Sequence, residues 1–380
     1  MKNKVMVFSL VLTSIFFWPV ESGGWDDWHT RWTVLYFFCG LGVAYHVYRR
    51  FGFGMAWVTF LVCSSSIWTF AWRANHLESQ SVGSRVLYNG VSQIHLITYL
   101  LLLAPVLWFK VKDFKLVEKV FAYLAAFCAP LSLLFNIGAV KAWMMGTAQG
   151  GLFNNPSMAG CFMAVCFPLV WKHLPRTFYF WQIITLVAIC NLHTSMPFGV
   201  LAVVGCSYMF IVYSKCKLSS WLWGVGLLIV LSFMGYEVNG EYFLSSNGRF
   251  GLWGLAMDWW GLNASPWFGY GAGTAFIAVP RAQLEAQWNT GSFFIWMHNE
   301  WLQVLFEYGV VGLTSLIVVF VSALYSARNS AVLFSMAAGY GAMALGNYPS
   351  RMPVHAALGV WLFFYIFLLT KLKSASKCLP

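Results

Sequence analysis

HNEWLQVLFEYGVVG, residues 298–312, is the stretch on which the fold turns. A histidine–asparagine pair opens a hydrophobic run that continues to about residue 325. Asn299, Gln303 and Glu307 recur every four residues, so a helix stacks them on one face. Unpaired polar groups in hydrocarbon are costly, and a polar stripe entering a membrane therefore needs a reason. Just upstream, residues 237–297 form the only extended stretch in the second half of the chain that is not a candidate membrane span. They carry Arg249 and Arg281.

The rest of the 380 residues is 60% hydrophobic and 9% charged, with mean hydropathy +0.68. Soluble chains average about 25% charged residues, so the expected class is an all-α polytopic membrane protein. About twelve spans are expected, near 5–20, 32–48, 55–72, 91–109, 118–138, 157–171, 178–193, 197–214, 220–236, 301–325, 330–346 and 353–370. This divides the chain into helices one to nine (1–236), an outer loop with the candidate catalytic residues (237–300), and helices ten to twelve with a tail (301–380). The basic residues orient it. With the N-terminus inside, 16 of the 23 Lys and Arg fall in inner segments and 7 in outer ones. That is the bias of the positive-inside rule, and it puts both termini in the cytoplasm and the long loop outside. The net charge of +11 is thus a topology signal; its scatter over short loops argues against a nucleic-acid partner. Residues 1–20 also resemble a signal peptide, but no A-x-A site follows, which favours a retained helix. Of nine cysteines, seven fall in spans and Cys216 and Cys378 on the inner side, so no disulfide framework is implied.

The long loop is amphipathic. RFGLWGLAMDWWGL, residues 249–262, places Leu252, Leu255, Ala256, Trp259 and Trp260 at helical spacing, and WFGYGAG, residues 267–273, is a glycine-interrupted turn. A helix on the membrane surface, a tight turn and a return to the membrane are expected. Its tryptophans suit an interfacial aromatic belt, or stacking on sugar rings for Trp253, Trp259 and Trp260 near Arg249.

These residues resemble the O-antigen ligase and polymerase superfamily. The resemblance rests on His298-Asn299, Leu302-Gln303 and Glu307-x-Gly309-x-x-Gly312 at the start of a span. Upstream it includes Arg249, Trp253 and a proline-glycine turn at Pro266, Gly269, Gly271 and Gly273. GLFNNPSMAGCFMAVCFPL, residues 151–169, is also similar to the family's segment before a middle span. The resemblance implies a GT-C-like bacterial inner-membrane glycosyltransferase with its active site facing the periplasm. The implied donor is an undecaprenyl-pyrophosphate-linked glycan, and the acceptor is the lipid A core or another glycan. It implies no metal and no cofactor.

One departure is visible. Where the family carries a Ser-Arg-Gly-like stretch whose arginine helps hold the donor pyrophosphate, this chain has Ser195, Met196 and Pro197. Arg73, Arg85, Arg281 and Arg351 are candidate substitutes, with Arg351 slightly favoured. The catalytic candidates are His298, as base or acceptor positioner, and Arg249, as pyrophosphate clamp. Asn299, Arg281, Arg351, Glu307 and Trp253 are candidates for substrate binding. Glu307, about two turns into the span, suits a structural carboxylate bonded to a neighbouring helix or an arginine better than a base. Gly309 and Gly312 suit close helix packing. His46, His95 and His355 are taken as structural. A polymerase using the same donor and a multi-span transporter or flippase of lipid-linked glycan remain the alternatives.

Overall fold

A computed structural model describes residues 41–62, 99, 101–135, 153, 155–175, 177–192, 194–213, 249–263, 265–271, 273–287 and 297–377. These residues are helical apart from turns and one isolated bridge, Ser265 to Gly269. We label the helices α1 (Val111–Phe135), α2 (Pro156–His173), α3 (Phe180–Asn191), α4 (Ser195–Tyr213), α5 (Arg249–Asn263), α6 (Ala275–Glu285), α7 (Glu300–Ala327), α8 (Ala331–Gly346) and α9 (Pro353–Lys377). Further helical segments cover 41–51, 53–62 and 101–108. Seven of the expected spans thus coincide with α1–α4 and α7–α9, while the other five lie wholly or partly outside the described residues. The candidate signal segment and Arg73, Arg85 and His95 also lie outside them.

Among the described residues, four stretches are long and apolar enough to cross a bilayer: Val111–Leu134, Met196–Tyr213, Glu300–Ala327 and Pro353–Ser374. Their outward faces are apolar too. On α7, Val318, Val321 and Tyr325 are all more than half exposed, an arrangement that suits lipid and not water. The protein is a helical membrane protein.

The chain divides into two compact units. The second, residues 110–248 and 323–366, is built around α2, which packs against α1, α3, α4 and α8. Asn155 starts α2 by accepting a hydrogen bond from the Met158 amide at 3.1 Å, and Pro156 follows at the position where a missing N–H costs nothing. Small residues set the packing. A Cβ on Gly160 would lie 2.4 Å from the Pro197 ring, and one on Gly339 would lie 2.3 Å from Val204. The start of α9 is fixed by His355, fully buried, whose Nε2 lies 3.0 Å from the Met158 carbonyl. Trp361 donates to the Phe114 carbonyl at 3.0 Å. Near the other end, buried Glu118 accepts from Lys172 and from His173, the latter at 2.8 Å.

The first unit comprises 1–109, 249–322 and 367–380. Its best-defined core gathers Leu252 and Ala256 of α5, Tyr270, Ala275, Ala278 and Val279 around α6, and Met297 and Phe306 beside α7. The expected apolar face of α5 is therefore present, with Leu252 and Ala256 buried. It packs on protein, with Trp253, Trp259 and Trp260 closing over the same cluster. The second helix of this region, α6, follows the glycine turn.

Candidate functional site

The early part of α7 is interrupted. Gly309 has φ +64° and ψ −164°, outside the helical region. Such a break strips partners from the carbonyls before it and the amides after it, and in a membrane each orphan costs several kcal/mol. The glycine turn supplies the partners. The amides of Tyr270 and Gly271 donate to the carbonyls of Phe306 and Glu307 at 3.0 and 2.7 Å. The amides of Val310 and Val311 donate to the carbonyls of Pro266 and Trp267 at 2.9 and 3.2 Å. Two backbones lie against each other, which leaves no room for a side chain. A Cβ on Gly309 would meet the Trp267 carbonyl carbon at 2.3 Å, and one on Gly269 would meet the Phe306 oxygen at 2.5 Å. Both glycines also have positive φ. The close approach expected at Gly309 thus occurs, but to a loop.

Glu307 holds the turn. Its carboxylate is fully buried and accepts from the Gly273 amide at 2.9 Å and the Ala275 amide at 3.4 Å. These donors open α6, where a negative charge is favoured by the free N–H groups and the helix dipole. Gln303 adds its side-chain amide at 3.2 Å. The expected polar stripe is therefore real: Asn299, Gln303 and Glu307 are all buried.

His298 precedes this stripe in a constrained position. Its backbone has φ +51°, the left-handed region in which histidine is enriched among non-glycine residues. Both neighbours are pinned. The Met297 carbonyl accepts the Trp253 indole N–H at 2.5 Å. Asn299 caps α7, its side-chain oxygen accepting from the Leu302 amide at 3.1 Å. The half-buried His298 is thus carried on a backbone fixed from both sides.

An aromatic stack backs the turn. Tyr270 lies between Trp259 and Phe306, with ring centroids 5.1 and 4.9 Å away. The Trp259 indole donates to Glu285 at 2.7 Å, and Arg281 reaches the same carboxylate at 3.0 Å. The Trp259 hydrogen bond, and then that of Arg281, hold the Glu285 carboxyl below its ordinary range. Trp267, at the tip of the turn, is 63% exposed.

Trp253, His298, Asn299 and Glu307 are therefore drawn together in one unit around the α5, glycine-turn and α7 junction. Arg249 is the first residue of α5 in that unit. Arg281 lies on α6, bridged to Glu285. Arg351 ends the short turn Pro349–Arg351 and belongs to the second unit. There Met196 and Pro197, which stand where the family's arginine is expected, are packing residues. Pro197 fills the space beside Gly160, and a Cβ on Gly346 would lie 2.6 Å from the Met196 sulfur.

Residues 180–317 match the family model described as O-antigen ligase. The resemblance to the O-antigen ligase superfamily is thus shown. The matched segment contains α5, the glycine turn, α6 and the break in α7. Comparison with curated proteins gives no match. What the sequence reading missed is the role of the turn itself. Its signal was WFGYGAG, with glycines at every second position, preceding Gly309 in FEYGVVG.

Proposed function

We propose that this protein is an O-antigen ligase-like glycosyltransferase that transfers an undecaprenyl-pyrophosphate-linked glycan to the lipid A core. The observation that carries this reading is the fixed backbone at 297–299, which presents His298 beside a buried polar stripe within the matched segment. The proposed setting is the bacterial inner membrane, with twelve spans, both termini in the cytoplasm, and residues 237–300 as a periplasmic loop between spans nine and ten.

In this reading the acceptor hydroxyl oxygen attacks the anomeric carbon of the donor sugar. The carbon–oxygen bond to pyrophosphate breaks, and its electron pair leaves on the pyrophosphate. The hydroxyl proton passes to His298; an unperturbed imidazole, with a pKa near 6.5, is suited to general-base work at neutral pH. Arg249 clamps the departing pyrophosphate, since a guanidinium binds phosphate bidentately and stays charged. Arg351 and Arg281 are the cations offered in place of the arginine absent at Met196 and Pro197. Asn299 orients the acceptor side of the site, and the half-buried ring of Trp253 offers a face to a sugar. Glu307 acts as a positioning residue, because turn amides occupy its oxygens. The reaction so written needs no metal and no cofactor.

The test is a lipopolysaccharide gel from cells lacking the gene, complemented with wild type, His298→Ala or His298→Gly. Glycine keeps the left-handed backbone and removes only the imidazole. Bare core, with polymer accumulating on undecaprenyl pyrophosphate and neither variant rescuing, is the expected outcome. A core carrying a single repeat would identify a polymerase. An unchanged ladder would refute both roles for that glycan.

A further inference from the structure

A second polar feature of the first unit lies outside the proposed chemistry. The helical segment 41–51 ends at Gly52, and beside it runs the last part of α9. Between them is a cleft of about 460 Å³ whose lining includes Tyr48, Arg49, Phe51, Phe367, Thr370 and Lys371. Lys371 joins the two segments: its ammonium donates to the carbonyls of Arg49 at 2.6 Å and Tyr48 at 3.2 Å. These carbonyls belong to the last turn of a helix, where a cation is favoured. Arg49 reaches the Tyr45 hydroxyl at 3.3 Å.

Two cations therefore line one small cleft. Neither residues 41–62 nor residues 353–380 contain an acidic side chain. The ion pairs found among the described residues involve Glu118 and Glu285, not these two cations. Thr370 and Ser374 add hydroxyl groups at the cleft wall. Phe51 and Phe367 form its apolar side, and exposed Tyr45 and Leu372 continue that surface outward. A guanidinium, an ammonium and hydroxyls next to an apolar wall match a phosphate group attached to an acyl chain.

We propose that this cleft is a phosphate-binding site filled by the head group of an anionic membrane lipid. Arg49 binds the phosphate through its fork, and Lys371 adds a point charge while tying α9 to the segment 41–51. Free inorganic phosphate offers the same charged chemistry but nothing to place on Phe367 and the exposed Tyr45 and Leu372, so the lipid is the expected source. The site is separate from the proposed transfer reaction and stands or falls without it.

The full-length protein, purified in neutral detergent, would be incubated with cardiolipin, phosphatidylglycerol or phosphatidylcholine, and bound lipid counted by native mass spectrometry. The two anionic lipids should be retained over phosphatidylcholine. Arg49→Gln should weaken cardiolipin binding about fivefold, roughly the 1 kcal/mol expected per surface cation, and Arg49→Lys, which keeps the charge without the fork, should restore part of it. Arg49 is exposed, so an unchanged melting temperature is expected and separates lost binding from lost fold. Displacement of the lipid by millimolar inorganic phosphate would keep the site and reassign its source. Equal retention of all three lipids, or cardiolipin binding unaffected by Arg49→Gln and by the double variant with Lys371→Gln, would overturn the proposal.

Discussion

Glu307 and Glu118 are both buried carboxylates, one in each unit, and they are held by different chemistry. Glu118 faces the Lys172 ammonium and the His173 ring at the last turn of α2. Lys172 is nearly half exposed, so this contact sits at the edge of water and staples two helix ends. Glu307 takes its hydrogen bonds from amides, those of Gly273, Ala275 and Gln303. A counter-ion only requires a charge nearby, whereas amides must be aimed. Glu307 therefore dictates the course of a turn, and Glu118 dictates only that two helices meet.

Breaking the turn at its tightest point should have the largest effect. Gly309→Ala places a Cβ 2.3 Å from the Trp267 backbone at a positive-φ position. We expect at least about 3 kcal/mol of lost stability and at least a hundredfold loss of transfer, read by thermal unfolding in detergent and by the lipopolysaccharide gel. Wild-type behaviour of this variant would show that the loop does not need the contact.

The carboxylates can then be set against each other. Glu307→Gln keeps the shape but turns a donor toward the Gly273 or Ala275 amide. It should cost about 2–3 kcal/mol and lower transfer at least tenfold. Glu118→Gln should cost about 1–2 kcal/mol and leave transfer close to wild type, since it loosens helix ends far from the turn in sequence. Transfer lost in Glu118→Gln but kept in Glu307→Gln would invert the comparison.

The smallest effect concerns Glu285. Its carboxyl is held below the ordinary value of 4.5, so the stability it contributes is complete above that value and is lost as pH falls through the lower folded value. Trp259→Phe removes the chief cause. The variant's melting temperature should fall slightly below wild type at neutral pH, and the gap should close in strong acid. A gap that persisted there would trace the effect to packing against Tyr270 instead.

Much of this was legible in the sequence because it was periodic. Asn299, Gln303 and Glu307 repeat with the helix, and Leu252 and Ala256 mark one face of α5, so both buried sets could be read from spacing. Spacing says which face is buried and not what buries it; the apolar face of α5 packs on α6 and α7. The helix α6 was not foreseen: it is short, carries Pro280 within it, and follows a run of glycines. The break at Gly309 was equally hidden, since one glycine in an apolar run signals close approach without naming the partner. Met196 and Pro197 illustrate the same limit. As residues they register only as a missing cation, and their packing against Gly346 and Gly160 depends on positions far away in the chain.

The bonds that bridge the Gly309 break also bear on how the protein is made. The turn at 265–271 is synthesised before α7, so its backbone exists when α7 first enters the membrane. Until the two meet, the carbonyls of Phe306 and Glu307 and the amides of Val310 and Val311 lack these partners. Docking of the turn therefore completes the backbone hydrogen bonding of α7, and α7 cannot reach its final form alone.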